Sequence, residues 1–162
     1  MHIRNAEQTD FARILELNLE SEHFLSPLDR DHLIKMHGQS TYHRVVEHED
    51  EVIAFLLALP NGVDYQSPNY RWFGEEFDNF LYVDRIVVSP LRHGQGVASL
   101  LYRDLFDFGR SSGMACIACE FDIDPMNQPS KEFHQKFGFK QVGTQWVGEG
   151  KKRVSLQIAE FF

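Results

Sequence analysis

Residues 89–101, SPLRHGQGVASLL, constrain the fold of this chain more than any other stretch. An apolar, strand-like run at residues 86–88 stops before Pro90, and Gly94 and Gly96 follow before a helix-like segment begins. Glycines at such a junction indicate that the backbone must come close to something. A strand, a glycine turn and a helix in succession indicate an α/β unit whose turn is a candidate ligand site.

The rest of the chain alternates strand-like and helix-like segments. Strand patterns cover residues 1–4, 42–46, 52–59, 80–88 and 115–121, with two further strands flanking the turn at 148–150. Helix patterns comprise one helix capped by Thr9 or Asp10, a second at 28–37 ended by Gly38, and two more at 96–108 and 129–136. This order predicts one mixed α/β domain, residues 1–162, built around a single sheet.

One long segment interrupts the pattern at residues 62–79, GVDYQSPNYRWFGEEFDN. Its glycines, proline and acids favour an irregular loop, whereas its five aromatic residues argue against disorder. We therefore expect an ordered, irregular and functional segment.

Composition excludes several classes of protein. The formal net charge of −8 argues against a nucleic-acid partner, because phosphate binding needs clustered lysine and arginine. The longest apolar run, residues 52–59, is too short for a membrane span, and the polar start does not resemble a signal peptide, so a cytoplasmic location is expected. Cys116 and Cys119 lie three apart on a predicted strand and point to opposite faces, which predicts two reduced, buried cysteines.

Three interpretations of the glycine turn can be compared with the residues. A Walker loop needs a lysine that this stretch lacks, and a Rossmann fingerprint needs a third glycine where Ser99 stands. A turn that merely lets helix and strand pack closely stays open. So does a turn whose backbone N–H groups hold a pyrophosphate at the start of a helix.

Two motifs resemble the GNAT acetyltransferases, which bind acetyl-CoA with a Q/R-x-x-G-x-G/A loop after their fourth strand. Residues 93–98, HGQGVA, match that loop except at His93, where glutamine or arginine is usual. In the same family an asparagine is followed seven residues later by a tyrosine and then by Gly-Phe. Asn127, His134 and the pair at 138–139 keep that spacing, with histidine in place of tyrosine.

The resemblance, which spans about residues 80–147, implies the GNAT-like acyl-CoA N-acyltransferase fold. This is an α/β fold with a central mixed, mostly antiparallel sheet flanked by about four helices. It also implies acetyl-CoA as cosubstrate and no metal ion; the histidines show no metal-ligand spacing. The residues implied in cofactor binding are Ile86, Val87, Val88, Arg92, His93, Gly94, Gln95, Gly96, Val97, Ala98, Ser99, Asn127, Ser130 and Phe133.

The resemblance also suggests catalytic groups. Asp84 occupies the position of an acid that accepts the amine proton through water in similar enzymes, although a salt bridge with Arg85 is the alternative. Glu120 is the second candidate base, with a solvated strand end as the alternative. His134 is the candidate proton donor to the leaving thiolate, and a helix-surface histidine is the alternative. Backbone N–H groups of Val87 or Val88 are implied for the oxyanion.

The acceptor is expected among the aromatic residues 63–80 and the helices between residues 17 and 37. Acidic side chains at 75, 76 and 78 favour a primary amine on a small molecule, a peptide N-terminus or a lysine. These aromatics can instead form a satellite core or a dimer surface, and dimers are frequent among similar proteins. A CoA-binding module that senses or regulates without turnover remains the alternative to an enzyme.

Overall fold

The computed structural model describes residues 1–22 and 25–161. Its strands are β1 (His2–Asn5), β2 (Tyr42–His48), β3 (Glu51–Pro60), β4 (Phe80–Val88), β5 (Cys116–Asp124), β6 (Lys140–Val147) and β7 (Lys152–Glu160). Its α-helices are α1 (Phe11–Glu20), α2 (Arg30–Gln39), α3 (Pro68–Glu76), α4 (Val97–Ser111) and α5 (Gln128–Lys136). Short 3-10 turns at Gln8–Asp10 and Pro90–Arg92 precede α1 and α4.

The described strands form one sheet in the order β1-β2-β3-β4-β5-β7-β6. The pairs β1–β2, β2–β3, β5–β7 and β6–β7 are antiparallel, and β4 pairs parallel with β5 from Phe80 to Tyr82. The mixed, mostly antiparallel α/β sheet predicted from the resemblance is therefore confirmed. Backbone contacts divide the chain into two compact units. Unit 1 is Met1–Leu59 with Val83–Phe108, and unit 2 is Pro60–Tyr82 with Gly109–Phe162.

The expectation of an irregular segment at residues 62–79 is wrong in its second half, where α3 forms. Ser67 accepts a hydrogen bond from the Tyr70 backbone N–H, and Pro68 occupies the first turn, which suits a helix start. Tyr70 and Phe73 are buried one turn apart on the helix. Burial of these rings outweighs the weak helical propensity of the sequence.

The boundaries of two predicted helices differ in part from the prediction. Asp10 is the N-cap residue of α1, as predicted, but its carboxylate pairs with Arg4 and accepts from the Glu7 backbone N–H instead of from an N–H of α1. Gly38 lies inside α2, which begins after Asp29 instead; the Asp29 carboxylate accepts from the His32 backbone N–H at 2.7 Å. The two cysteines are buried and not joined in a disulfide, as predicted, and burial raises the pKa of Cys116 to about 11.

In unit 1, α2 is held on β2 by two histidines. The Nδ1 atoms of His37 and His43 lie 2.8 Å apart, so one ring donates and the other accepts. Both rings contact Phe11, and His43 also contacts Phe55. His43 is buried, and its Nε2 has no hydrogen-bond partner among the described residues. A second proton on this ring is therefore costly.

This geometry makes folding stability depend on pH. Burial, and then the neighbouring His37, lower the pKa of His43 from 6.5 to about 4. The unfolded chain takes up the proton first, so this stabilisation is complete above about pH 6.5 and is lost as the pH falls towards 4. A shift of that size corresponds to about 3 kcal/mol. We expect His43→Gln to flatten the decline in the free energy of unfolding across this window.

The measurement is urea denaturation of both proteins at half-unit steps of pH, with His2→Gln as the exposed control. An identical slope in wild type and His43→Gln would contradict the assignment.

In unit 2, α3 packs on β6 through a glycine. A Cβ atom built on Gly143 would lie 2.5 Å from Cζ2 of Trp72, so the indole occupies the space that a side chain would fill. The Asn69 side chain, one turn earlier, accepts a hydrogen bond from Gln145 Nε2 at 3.0 Å. These contacts fix α3 against the edge strand.

We expect Gly143→Ala to lower the free energy of unfolding by about 1–3 kcal/mol, because the Trp72 ring must move. Gly38→Ala is the matched control: nothing lies within 4 Å of its Cβ position, and alanine favours the helix by roughly 0.5–1 kcal/mol. Urea denaturation of both variants should therefore give shifts of opposite sign. Shifts of the same sign would argue against the Trp72 contact.

Candidate active site

The glycine loop lies at the end of β4 in unit 1. The Ser89 backbone N–H donates to the Ile53 carbonyl at 2.8 Å, and the 3-10 turn Pro90–Arg92 then takes the chain away from the sheet. Gly94 and Gly96 have φ angles of +80° and +78°, which L side chains rarely adopt. Nothing lies within 4 Å of the Cβ position of either glycine. Space for a ligand is therefore present on the loop.

The loop leads directly into the 15-residue helix α4 at Val97. The first N–H groups of a helix lack partners within it and carry the positive end of the helix dipole. Val97, Ala98 and Ser99 supply these groups here, next to an open glycine loop. This arrangement suits a phosphate or pyrophosphate.

The side chain of His93 turns back towards the strand. Its Nε2 lies 3.1 Å from the Val88 carbonyl oxygen, so Nε2–H donates to that carbonyl. Arg92 is half-buried, and Gln95 is exposed. On β4, Ile86 and Val88 are half-buried and Val87 is buried, whereas the side chains of Asp84 and Arg85 are both buried. The alternation at residues 86–88 agrees with a common face for Ile86 and Val88, and the place of Asp84 on that face stays a prediction.

The second predicted cofactor group lies at the start of α5 in unit 2. The Asn127 carboxamide oxygen accepts from the Ser130 backbone N–H at 3.2 Å, so Asn127 caps the helix. Phe133 is half-buried one turn further on and contacts the His134 ring edge-on. The cap interpretation of Asn127 is therefore confirmed, while its contact with a pantetheine arm stays a prediction.

His134 is buried, with a relative exposure of 6%, so the alternative of a helix-surface histidine is wrong. Its ring stacks on Phe121 with centroids 5.5 Å apart and meets Phe139 edge-on. Nδ1 lies 2.7 Å from the Ser130 carbonyl oxygen and donates to it. In the neutral ring the lone pair is therefore at Nε2. Burial lowers the pKa of His134, and the bond to Ser130 opposes that shift.

Asp84 forms an ion pair with Arg85, the alternative to a catalytic role that the sequence left open. Arg85 Nε donates to Asp84 Oδ2 at 2.8 Å, and the two side chains are only 3% and 4% exposed. The guanidinium also donates to Asn18 Oδ1 at 2.9 Å and to the carbonyl and hydroxyl oxygens of Ser26 at 3.2 Å. Arg85 thus connects β4 with α1 and the segment that follows it.

Glu120 has a different partner. The Tyr82 hydroxyl lies 2.8 Å from both carboxylate oxygens of Glu120 and donates to them. Tyr82 is buried and Glu120 is half-buried. Tyr82 is the site residue that sequence reasoning missed, whereas Arg85 was named as the alternative partner of Asp84. The alternation of side chains along β4 could have indicated which way Tyr82 points, but the parallel register that brings Tyr82 beside Glu120 could not be predicted from the sequence.

The aromatic segment divides between core and pocket. Tyr70 and Phe73 contact Phe80 and Tyr82, which confirms a satellite core for these rings. An open cavity of about 490 Å³ lies beside them in unit 2, lined by Tyr65, Phe77, Asp64, Glu75 and Asp78 among others. Arg71 also lines it, so the charges there are mixed but mainly acidic.

Among residues 1–22 and 25–161, no group of three or more His, Cys, Asp or Glu side chains is arranged to hold a metal ion. Within the same residues, no helix is both long and apolar enough to cross a bilayer.

Comparison with known proteins gives a family and a fold. The model of the acetyltransferase (GNAT) family matches residues 5–139. The comparison with curated protein sequences gives no match.

Solved structures with the same fold share little sequence with this chain. Ard1 from Thermoplasma volcanium has a TM-score of 0.79 and 14% identity, covering 99% of this chain and 97% of its own. Arabidopsis thaliana Naa50, solved with the bisubstrate analogue CoA-Ac-MVNAL, has a TM-score of 0.76 and 13% identity, covering 99% of this chain and 98% of its own. The yncA protein from Salmonella typhimurium, solved with its cofactor acetyl-CoA, has a TM-score of 0.75 and 20% identity, covering 99% of this chain and 93% of its own.

Proposed function

Because the chain belongs to the acetyltransferase (GNAT) family, we propose that it transfers the acetyl group of acetyl-CoA to a primary amine. Enzymes of this family use acetyl-CoA, and the open loop at Gly94 and Gly96 supports binding of its pyrophosphate. The N–H groups of Val97, Ala98 and Ser99 would hold the phosphates. Asn127, Ser130 and Phe133 are proposed for the pantetheine arm. Since the donors in the loop are backbone groups, His93 in place of glutamine or arginine does not remove them.

The proposed reaction conserves atoms and charge. The acceptor ammonium first loses a proton, and the neutral nitrogen attacks the thioester carbonyl carbon. The N–C bond forms, the C–S bond breaks with its electron pair going to sulfur, and the nitrogen loses a second proton. The thiolate takes up one proton, so one proton is released overall. The backbone N–H of Val87 or Val88 is proposed to stabilise the oxyanion.

We propose Glu120, rather than Asp84, as the group that accepts the amine proton. One Asp84 oxygen already accepts from a buried guanidinium, and releasing it would leave the Arg85 charge without its partner. Glu120 is half-buried and accepts hydrogen bonds from the Tyr82 phenol, whereas the Asp84 side chain is only 4% exposed and accepts from a guanidinium. Asp84 then organises β4 and α1 through Arg85.

His134 is proposed to carry the proton for the thiolate. The neutral ring has its proton on Nδ1, so it must take up a second proton at Nε2 before it can donate one. Because burial lowers the pKa of His134, the doubly protonated ring is the minor form near neutral pH. Since a thiolate is a good leaving group, this assistance is modest.

We expect His134→Gln to lower kcat by about tenfold, less than the range usual for an acid–base group, and to do so most strongly below about pH 6.5. The measurement is thiol release from acetyl-CoA between pH 5.5 and 8.5. Equal turnover of both proteins across that range would remove His134 from the reaction.

A primary amine is the acceptor class that the charges support best. The formal net charge is −8, and the cavity in unit 2 carries Asp64, Glu75 and Asp78 beside the Tyr65 and Phe77 rings. Acids and aromatic faces together favour a cation. The Naa50 complex supports a peptide amine as one member of this class.

The deciding experiment combines binding with turnover. Calorimetric titration with acetyl-CoA tests the loop, with NAD as the control ligand. Thiol release is then measured with a peptide bearing a free N-terminal amine, with Nα-acetyl-lysine amide and with a diamine. Sustained release with any of them supports the enzyme. Binding of acetyl-CoA without release from any amine would favour a sensor or regulatory module.

A further inference from the structure

A buried tyrosine lies beside the proposed proton acceptor in unit 2. β4 and β5 run parallel, and Tyr82 pairs with Ala118, so Glu120 lies two residues further along on the same face of the sheet. The Tyr82 hydroxyl spans this diagonal and donates to the carboxylate, at 2.8 Å from each oxygen. Because the hydroxyl is equidistant from both oxygens, it is shared between them and holds the carboxylate against the Tyr82 ring.

The Tyr82 ring is itself packed against two aromatic side chains of α3. Tyr70 meets it edge-on at 5.5 Å, and Phe73 lies against it at 5.9 Å. The Tyr70 hydroxyl donates to the Pro60 carbonyl at 2.7 Å and accepts from the Val63 N–H at 3.0 Å, which anchors that helix end. These buried contacts leave the Tyr82 ring little freedom to rotate.

The exposure of the two partners indicates more than a structural bond. Tyr82 is buried, whereas Glu120 is half-buried, so the bond has one end in the core and the other partly exposed to solvent. Partial exposure avoids the cost of burying a charged carboxylate and leaves Glu120 in contact with solvent. A carboxylate held rigidly at an accessible point is preorganised for one proton-transfer geometry.

We propose that Tyr82, braced by α3, is a positioning residue that holds Glu120 for proton transfer from the acceptor amine. This inference rests on the proposed function of Glu120. Tyr82 acts through Glu120 and does not itself exchange a proton with substrate. The helix α3 therefore contributes to catalysis through the Tyr70 and Phe73 rings, which keep the phenol in place.

The test is Tyr82→Phe, which removes the hydroxyl and keeps the ring. We expect kcat to fall about tenfold, with acetyl-CoA affinity unchanged in calorimetry. A bond to the charged form of an acid is lost, so the acidic limb of the kcat/KM profile should move up by about 0.5–1 pH unit. The acceptor in this assay is whichever of the peptide, Nα-acetyl-lysine amide and the diamine gives the highest turnover with the wild-type protein. Tyr42→Phe is the matched control, since the Tyr42 hydroxyl donates to the Asp104 carboxylate at 2.7 Å in unit 1.

The double variant with Glu120→Gln separates the possible outcomes. If Tyr82 acts through Glu120, Tyr82→Phe has no further effect on kcat in the Glu120→Gln background. Additive losses, or a Tyr82→Phe profile that matches Tyr42→Phe, would overturn the inference alone. If Glu120→Gln itself leaves kcat unchanged, both the inference and the proposed role of Glu120 are overturned.

Discussion

Glu120→Gln is expected to lower kcat for acetyl transfer by about 10²–10⁴-fold, the range usual for loss of a general base. The amide cannot accept the amine proton, whereas its shape still allows the Tyr82 hydroxyl to donate to the remaining oxygen. Acetyl-CoA affinity should be unchanged, because the loop at Gly94 and Gly96 does not involve this side chain. Steady-state or stopped-flow measurement of thiol release gives kcat, and calorimetry on the same protein gives the affinity for acetyl-CoA.

Asp84→Asn is the informative comparison for this variant. Removing the Asp84 charge leaves Arg85 buried without its ion pair, which typically costs about 3–5 kcal/mol. We therefore expect Asp84→Asn to lower the free energy of unfolding far more than Glu120→Gln does. The opposite pattern, a stable Asp84→Asn protein without turnover and an active Glu120→Gln protein, would return the base to Asp84.

Gly96→Ala is expected to weaken acetyl-CoA binding by about 30- to 100-fold, the effect of misplacing one or two charge-assisted hydrogen bonds to phosphate. At φ +78° an L side chain is strained, and the added Cβ enters the open side of the loop. If the strained backbone relaxes, the first N–H groups of α4 shift away from the phosphates. If it does not relax, the alanine methyl group occupies space that the ligand needs. Calorimetric titration with acetyl-CoA measures the change.

Gly113→Ala controls for the strain itself. Gly113 follows the other end of α4 with φ +74°, and nothing lies within 4 Å of its Cβ position. The two substitutions should therefore cost similar stability, on the order of 1–3 kcal/mol each, while only Gly96→Ala affects the ligand. Equal acetyl-CoA affinity in both variants would show that the glycine loop does not bind the cofactor.

The sequence predicted β4 to the residue, Phe80–Val88, because two apolar and aromatic runs, separated only by Asp84 and Arg85, lie between Asn79 and Pro90. It also predicted the glycine turn and the start of α4 within one residue. These features are local, since backbone angles and hydrophobic runs are set by neighbouring residues. The helix α3 was missed because Gly74, Pro68 and the acids around them weaken the helical pattern. Only burial of Tyr70 and Phe73 against β4 makes that helix stable.

By itself, then, the sequence determined the element order apart from α3, the class of sheet and the loop that resembles an acetyl-CoA site. It also supplied both candidate acids. Only the tertiary structure decided their partners: Arg85 for Asp84, and Tyr82, 38 residues away in the chain, for Glu120. It likewise buried His134 between aromatic rings and directed Nδ1 to Ser130. The physical reason is that proton affinity depends on burial and on the nearest charge or donor, and both are set by strand register and packing between distant residues.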